Sequence, residues 1–277
     1  MLANKKIAAV VVWYNPSNEV IENIATYGKC VDYIVCVDNS NVENSYLIQD
    51  ERIIYVPLYK NTGIAHALNV GCNKAIIEGA DILITFDQDT VCEKKTIYNL
   101  VKRLVEEEGN VIVAPNIKYI YREKDKRVYT NEKALTEIEE YPYWVITSGS
   151  AIKRETYVNV SGFDEKLFIS QVDQDFCLRI YDSGGKITRL ADTYILQELG
   201  RTSLKKFIGL TAHVPNLSKE RYFYIFRNER YLRRKWGRKY RFYKVPLYKY
   251  FISICFFETG KLEKLLKCME GFRSDSL

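Results

Sequence analysis

An apolar run that ends in two closely spaced acids is the feature that most limits how this chain can fold. Residues 82–86 read Ile-Leu-Ile-Thr-Phe, and Asp87-Gln88-Asp89 follows directly. A strand without charge is typically buried on both faces, as in a parallel sheet covered by helices. The acids are therefore expected where the strand leaves the sheet. Alternate residues of an extended chain point the same way, so Asp87 and Asp89 are expected to face one point.

The same apolar pattern recurs along the chain between segments of helical character. Strands alternating with helices predict an α/β protein with a mixed, mainly parallel sheet flanked by helices. In order, the predicted strands are 5–13, 33–37, 52–56, 82–87, 111–114, 144–152 and 187–191, and the predicted helices are 17–28, 61–79, 90–107, 153–160 and 173–183. The strand over 144–152 is expected to be broken at Ser148-Gly149-Ser150. Residues 118–143 are polar and Tyr-rich, which indicates an irregular excursion or a hairpin.

The acid pair has three interpretations. Either acid could cap the next helix. Two carboxylates aimed together could instead hold Mg²⁺ or Mn²⁺ on a phosphate-bearing substrate. Asp87-Gln88-Asp89-Thr90-Val91 also matches the nucleophile motif of haloacid-dehalogenase-type phosphatases, in which Asp87 would attack phosphate. That motif, however, usually follows the first strand of its fold.

Polar residues also follow the first two predicted strands. Tyr14-Asn15 follows the first and Asp38 ends the second. Ligands of open α/β sheets bind outside the carboxyl ends of the strands. Tyr14 could stack on a base, and Asp38 could accept a hydrogen bond from a ring N–H. The chain has neither a dinucleotide-binding GxGxxG after the first strand nor a GxxxxGK[ST] phosphate loop.

A second pair of acids, Asp173 and Asp175, falls where a later helix is expected to begin. An acid at a helix start is often a cap. The alternative is a general base that faces the metal site.

Charge divides the chain unevenly. Residues 1–200 hold 22 Lys or Arg and 29 Asp or Glu, whereas residues 201–277 hold 19 and 6, which gives −7 and +13. We therefore expect a catalytic domain over 1–200 and a helical, basic and aromatic extension over 201–277. The mixture of cations and aromatics in 219–249 would suit nucleic acid or a solvated face, but it favours contact with an anionic membrane surface.

Taken together, these motifs resemble family 2 glycosyltransferases of the GT-A fold over roughly residues 5–235. The resemblance rests on motifs that occur in the family's order: Trp13-Tyr14-Asn15, Val37-Asp38-Asn39-Ser40, Asn61-Thr62-Gly63, Asp87-Gln88-Asp89, Ser148-Gly149, and Gly162-Phe163-Asp164-Glu165 continuing to Asp173 and Arg179. The Asp-Gln-Asp form and the segment 221–228 look most like bacterial rhamnosyltransferases of that family.

The resemblance implies a role for each matching residue. Asp173 would be the catalytic base, and Asp89 with Asp87 would hold Mg²⁺ or Mn²⁺. The donor nucleotide would contact Tyr14, Asn15, Asp38, Asn61, Gly63, Asn69, Asp87 and Gln88. The acceptor side would comprise Ser148, Gly149, Asp175, Arg179 and Arg227.

The implied reaction is inverting transfer of a sugar, rhamnose from dTDP-rhamnose being the best guess and a UDP-sugar the other donor considered. The acceptor would be a hydroxyl of a glycan, carried on a polyprenyl diphosphate, in cell-surface polysaccharide synthesis. The enzyme would be cytoplasmic and peripheral to the inner face of the cell membrane. No nucleic-acid partner is expected, and a homodimer is left open.

Two positions depart from the family pattern. Val172 stands where an acid usually precedes the base, and Gln197 stands where a His is common. The replacement of that His leaves open whether metal dependence is weakened. The rival functions are a phosphatase that uses Asp87 as nucleophile, and a catalytically inactive module that binds sugar or RNA.

Overall fold

The computed structural model describes residues 5–123, 126–129, 139–140, 142–198, 202–207 and 210–274. The chain divides into two compact units. The first unit comprises Met1–Lys118, Asn131–Phe168 and Val172–Gln197, and the second comprises Tyr119–Thr130, Ile169–Gln171 and Glu198–Leu277. The predicted division of 1–200 and 201–277 into a catalytic domain and an extension stays a prediction.

A mixed sheet forms the centre of the fold, as the sequence predicts. Its strands are β1 Ile7–Trp13, β2 Tyr33–Asp38, β3 Ile53–Pro57, β4 Ile82–Asp87, β5 Val91–Cys92, β6 Val111–Glu123, β7 Lys126–Tyr129, β8 Glu139–Glu140, β9 Ala151–Lys153 and β10 Lys186–Glu198. They follow the order β3-β2-β1-β4-β9-β6-β10-β5, with β7 paired to β6 and β8 to β10. The pairs among β3, β2, β1 and β4 are parallel, and β9 pairs antiparallel with both β4 and β6.

Helices in the first unit bury the apolar faces of this sheet. They are α1 Glu19–Tyr27, α2 Ile64–Ile77, α3 Lys94–Glu106, α4 Arg154–Asn159 and α5 Val172–Asp182. The residues of β1 and β2 are almost all buried, which accounts for their uninterrupted apolar sequence. Gly71 lets α2 approach the sheet closely, because a Cβ there would lie 2.4 Å from Val10 Cγ1.

The register of the central strands brings three chain segments to one edge of the sheet. Trp13 is paired with Asp38, and Val12 is paired with Asp87. Since β1, β2 and β4 are parallel, the residues that follow them lie at the same edge. The predicted convergence of the Tyr14, Asp38 and Asp87 segments is therefore present.

Two segments differ from the sequence predictions. The helix predicted from Thr90 begins only at Lys94, with Glu93 at its N-cap position, so neither Asp87 nor Asp89 caps it. Of the strand predicted over 144–152, only β9 is formed. The predicted break at Ser148-Gly149-Ser150 is a turn, in which Gly149 adopts φ +76° and donates its N–H to the Thr85 carbonyl.

The second unit contains strands as well as the predicted helices. Antiparallel strands β11 Ser203–Phe207 and β12 Leu210–Val214 come first, followed by α6 Lys219–Trp236, α7 Leu247–Phe257 and α8 Lys261–Arg273. Tyr222, Ile225, Phe226, Ile254 and Cys268 form the core of these helices. Of the described helices, none has the length and apolar character needed to cross a membrane.

The close approach of residue 168 to the start of α2 generates a stability prediction. Gly63 has φ +87°, and a Cβ there would lie 2.6 Å from the Phe168 carbonyl oxygen. We expect Gly63→Ala to lower the free energy of unfolding by at least about 2 kcal/mol, from backbone strain and overpacking together. Chemical denaturation measures the change.

Gly184→Ala is the matched control, because Gly184 has a similar φ of +75° but a Cβ there would meet nothing within 4 Å. It should lose only the backbone component, about 1–2 kcal/mol. Equal losses in the two variants would contradict a special role for the contact with Phe168.

Candidate active site

Gln88 ties the acid-bearing turn after β4 to the end of β1. Its Oε1 accepts a hydrogen bond from the Tyr14 N–H at 2.7 Å, and its Nε2 donates to the Tyr14 carbonyl at 3.4 Å. The Gln88 carbonyl in turn accepts from Asn23 Nδ2. These contacts fix the turn while the Tyr14 side chain stays 47% exposed. The aromatic ring is thus available to stack on a ligand next to Asp87 and Asp89.

Asp38 lies buried at the end of β2 and is held by several donors. Its Oδ2 accepts from the Tyr55 hydroxyl at 2.6 Å and from Asn44 N and Nδ2, and its Oδ1 accepts from Ser40 N. Burial by itself would raise the pKa of Asp38, but hydrogen bonds from Ser40, Tyr55 and Asn44 bring it below the ordinary value. The group is therefore a fixed anion that shapes the site.

Asn15 and Asn61 are tied to the residues that follow Asp38. The Asn15 N–H donates to Ser40 Oγ at 2.7 Å, and Asn61 Oδ1 accepts from Asn39 Nδ2 and from the Gly63 N–H. Gly63 then leads into α2, whose first N–H, from Ile64, donates to the Phe168 carbonyl at 2.7 Å. The segments predicted to hold the donor thus form one connected network.

Asn69 is engaged by the Gly162–Glu165 segment. Its Oδ1 accepts from Phe163 N and the Tyr157 hydroxyl, and its Nδ2 donates to the Phe163 carbonyl and to Glu165 Oε1. Gly162 is required beside it, because a Cβ there would lie 2.7 Å from Asn69 Oδ1. These contacts give Asn69 a positioning role between α2 and the 162–165 segment, and a donor contact stays a prediction.

The turn that carries Asp87 and Asp89 rests on Ser148. The Ser148 hydroxyl accepts from the Asp87 N–H at 3.1 Å and lies 2.6 Å from the Thr90 hydroxyl. Gly149 follows without room for a side chain, since a Cβ there would lie 2.9 Å from Pro115. Ser148-Gly149 was predicted on the acceptor side. The structure gives this pair contacts with the acid-bearing turn, and acceptor contact stays a prediction.

Gln197 contacts the first acid of this turn directly. Its Nε2 donates to Asp87 Oδ2 at 2.6 Å, whereas its Oε1 is buried and has no hydrogen-bond partner among the described residues. The sequence marks Gln197 only as the replacement of a His. Its hydrogen bond across 110 residues of chain could be found only from the fold.

The donor set at this edge suits a hard divalent cation. Carboxylate and amide oxygens are the ligands that Mg²⁺ and Mn²⁺ prefer. Asp87, Asp89 and the Gln197 Oε1 are of that chemical type. No group of three or more His, Cys, Asp or Glu in the described part of the chain could hold a metal. If a cation binds to these oxygens, its remaining ligands would have to come from a diphosphate and water.

Asp173 stands in the first turn of α5 and lines a small cavity next to β4. The same cavity is lined by Thr85 of β4 and by Thr147, whose carbonyl accepts from the Thr85 hydroxyl. Asp173 Oδ1 accepts from the N–H of the next residue, Gln174, at 3.0 Å, whereas a capping acid accepts from an N–H two or three residues on. Asp173 is only partly buried, so part of its surface stays accessible.

Asp175 and Arg179 form an ion pair within α5. Arg179 Nε lies 3.0 Å from Asp175 Oδ2, and Arg179 Nη1 donates to the Val160 carbonyl. Asp175 is 0% exposed, which leaves no surface for direct contact with an acceptor in this conformation. The observed contacts indicate that the pair orients α5, and its predicted acceptor role stays untested.

Arg227 belongs to α6 of the second unit. Its guanidinium donates twice to Asn228 Oδ1 and lies over the Tyr224 ring, 4.7 Å from the centroid. Burial lowers the pKa of Arg227. Asn228 Nδ2 donates to the carbonyls of Ile169 and Ser170 at 2.9 Å. Sequence reasoning had no role for Asn228, and it gave no signal that this residue holds the segment just before α5.

Comparisons with known proteins agree with this arrangement. Residues 14–170, more than half of the chain, match the family described as Glycosyl transferase family 2. The fold and the carboxyl-edge site define a glycosyltransferase of the GT-A type, and the chain belongs to glycosyltransferase family 2. It is 29% identical to the dTDP-rhamnosyl transferase RfbF of Shigella flexneri over 251 residues, which cover 84% of this chain and 81% of that protein.

Solved structures share the fold. S. aureus TarS 1-349 in complex with UDP-GlcNAc superposes with a TM-score of 0.60 at 16% identity, covering 96% of this chain and 79% of that one. GalNAc-T7, solved with UDP, GalNAc and Mn²⁺, gives a TM-score of 0.58 at 17% identity, covering 82% of this chain. This chain spans about half, 51%, of the GalNAc-T7 chain. These similarities confirm the predicted fold.

Because hydrogen bonds lower the pKa of Asp38, its contribution to stability depends on pH. A carboxyl group with a lowered folded pKa stabilises the fold above its unfolded pKa, about 3.9, and that contribution is lost as pH falls through the folded value. We expect Asp38→Asn to cost about 1–3 kcal/mol at pH 7, because donors of Tyr55 and Asn44 lose a charged acceptor. The difference from wild type should shrink below about pH 4.

Urea denaturation from pH 7 to pH 2.5 measures this dependence. Asp50→Asn is the control, since the Asp50 pKa is also lowered but its partner is Arg52 in an exposed pair. Exposed pairs contribute little to stability. A pH-independent loss in Asp38→Asn would show that the ionised carboxylate is not the stabilising species.

Proposed function

We propose that this glycosyltransferase moves rhamnose from dTDP-rhamnose, with inversion at the anomeric carbon, to a hydroxyl of a glycan acceptor. The observation that carries the proposal is the Gln88 bridge, which holds Asp87 and Asp89 beside an exposed Tyr14 at the carboxyl edge of the sheet. An aromatic ring can stack on a nucleotide base, and two carboxylates can hold a cation for a diphosphate. The similarity to a dTDP-rhamnosyl transferase over most of both chains supports this donor, and a UDP-sugar is the second candidate.

In this proposal the donor lies along the β1, β2 and β4 ends. Tyr14 stacks on the base, and Asp38 accepts from a ring N–H, which requires that the base displace one of its present donors or use the less occupied Oδ1. Asn15, Asn61 and Gly63 shape the same edge through their network. Gln88 keeps the turn in place as the donor binds.

The departing nucleoside diphosphate gains negative charge during transfer. Asp87 and Asp89 would hold a divalent cation at that position, Mg²⁺ or Mn²⁺, with the Gln197 Oε1 as a further oxygen ligand. When bound, such a cation supplies positive charge to the leaving group. Ser148 fixes the Asp87 backbone, so the two carboxylates are preorganised for this task.

Asp173 is the proposed general base. An acceptor hydroxyl is a weak nucleophile until its proton is removed, and a carboxylate on the opposite side of the sugar ring can accept that proton as the C–O bond forms. The donor's C–O bond to diphosphate breaks in the same displacement. The hydrogen bond from the Gln174 N–H orients the carboxylate.

The proposed acceptor is a glycan on a polyprenyl diphosphate, extended at the inner face of the cell membrane. The net charge of +13 over residues 201–277 supports an anionic partner such as this diphosphate or the membrane surface. Ser148 and Gly149 are the candidates for acceptor contact in the first unit, where Asp175 and Arg179 orient α5. Arg227 of the second unit is a separate candidate for binding an anionic acceptor. A homodimer is compatible with this proposal but is not required by it.

The rival functions find less support. A phosphatase nucleophile at Asp87 would have to act from the fourth strand of the chain, while its carboxylate is bound to Gln197. An inactive binding module does not require both a preorganised acid pair and a carboxylate at 173. Family membership favours transfer over both alternatives.

The donor can be tested by thermal shift. We expect dTDP-rhamnose with Mn²⁺ to raise the melting temperature more than UDP- or GDP-sugars do, and EDTA to remove most of that stabilisation. Asp89→Ala should lose the Mn²⁺-dependent part, whereas the exposed Asp192→Ala should keep it. Equal stabilisation of Asp89→Ala and wild type with Mn²⁺ would contradict the metal assignment.

The base can be tested by separating binding from turnover. We expect Asp173→Asn to lower turnover by roughly 10²–10⁴-fold and to leave nucleotide affinity within a few-fold, because an amide cannot accept the proton. Calorimetric titration of dTDP with Mn²⁺ and a transfer assay measure the two effects. Near-normal turnover of Asp173→Asn would refute the assignment.

A further inference from the structure

Helices α7 and α8 of the second unit carry apolar side chains on their solvent side. On α7, Tyr248, Phe251, Ile252, Cys255 and Phe256 are exposed, and Ile252 and Phe256 keep 49% and 65% of their accessible surface. Their spacing of three and four residues places them on one face. The opposite face of α7 is also apolar, since Ile254 is fully buried in the helical core. A helix that is apolar on both sides lacks the polar outer face of an ordinary surface helix.

A second set of exposed apolar side chains lies on α8. Leu262, Leu266, Met269 and Phe272 are all exposed there, at helical spacing, while Cys268 and Gly271 face inward. Gly271 permits close packing of α8 on α6, because a Cβ there would lie 2.2 Å from the Phe223 carbonyl. The inner faces are used in packing, while the outer apolar residues keep a large part of their surface exposed. Exposed apolar residues in such number mark an interaction surface.

Charge identifies the partner. Residues 238–273 hold nine Lys or Arg and only three Glu, a net charge of +6. One of those acids, Glu258, is buried and bound by Tyr222, Ser253 and Lys264. The cations Lys244, Lys249, Lys261 and Arg273 lie on or beside the two helices, and all are exposed. A second copy of this surface would repel the first, whereas anionic lipid headgroups would attract it.

Two aromatic residues of α6, Tyr222 and Phe226, are buried in the core of the second unit. The membrane contact predicted for 219–249 stays a prediction, and exposed apolar side chains extend along the chain to residue 272. The length of α7, 11 residues, suits a helix lying in the interface and is too short for a span.

We propose that the outer face of α7 and α8, formed by Tyr248, Phe251, Ile252, Phe256, Leu262, Leu266, Met269 and Phe272, inserts among the headgroups of an anionic bilayer. The surrounding lysines and arginines bind the lipid phosphates. Only the purpose of this surface rests on the proposed function: it would keep the enzyme at the membrane, where a lipid-linked acceptor is found. Lipid binding itself requires neither donor nor transfer.

Vesicle flotation of the full chain tests the surface. We expect the wild type to float with vesicles of phosphatidylglycerol and phosphatidylcholine, and at least about 10-fold less with phosphatidylcholine alone. Ile252→Ser/Phe256→Ser should weaken flotation by at least about 10-fold. Ile77→Ser/Tyr98→Ser is the matched control, since both residues are exposed on helices of the first unit, and it should float as the wild type does.

Two further measurements keep the outcome decisive. An Ile252→Trp variant should show a blue-shifted emission that brominated lipid quenches. Asp173→Asn should float normally, so failure of the catalytic proposal would leave the lipid-binding proposal intact. A transfer assay with a soluble acceptor shows whether Ile252→Ser/Phe256→Ser remains folded and active. Absence of wild-type flotation would overturn the proposal. Unchanged flotation of Ile252→Ser/Phe256→Ser would also overturn it. If that variant in addition converts a dimer to a monomer, the face would be assigned to self-association.

Discussion

The parallel pairing of β1 with both β2 and β4 is the constraint on which the site depends. It aligns Trp13 with Asp38 and Val12 with Asp87, so three chain segments far apart in sequence end at one edge. Side-chain packing on both faces favours this register, because a shift by one residue would turn each side chain to the opposite face of the sheet and change its neighbours. The polar residues that follow the strands are then brought together without any contribution from their own sequence.

Much of the polar chemistry at that edge serves to hold the backbone. Gln88, Ser148 and Asn69 each form hydrogen bonds with main-chain groups of another segment. Such contacts cost free energy if one partner is lost, since a buried donor or acceptor is left unpaired. The contacts of Gln88 and Ser148 keep the turn that carries Asp87 and Asp89 in a fixed place before any ligand arrives. Preorganisation of this kind is what stabilisation of a developing charge requires.

The second unit uses its residues in two ways. Its inward aromatic side chains build a core between α6, α7 and α8, and its buried carboxylates, Glu229 and Glu258, bind Tyr, Ser, Lys and Arg side chains. Its outward apolar and basic residues remain exposed. The strong positive charge seen in the sequence therefore has both a structural and a surface component.

The sequence by itself determined the α/β class, the family and the strand ends that carry Tyr14, Asp38 and Asp87, because uninterrupted apolar runs and short polar motifs are local properties. It placed the start of α3 too early and missed the strands of 203–214, where local propensity was outweighed by tertiary pairing. Only the tertiary structure decided that Gln197 binds Asp87 and that Asn69 holds the 162–165 segment. These are contacts between groups whose partners are selected by the packing of whole helices and strands, which no local pattern encodes.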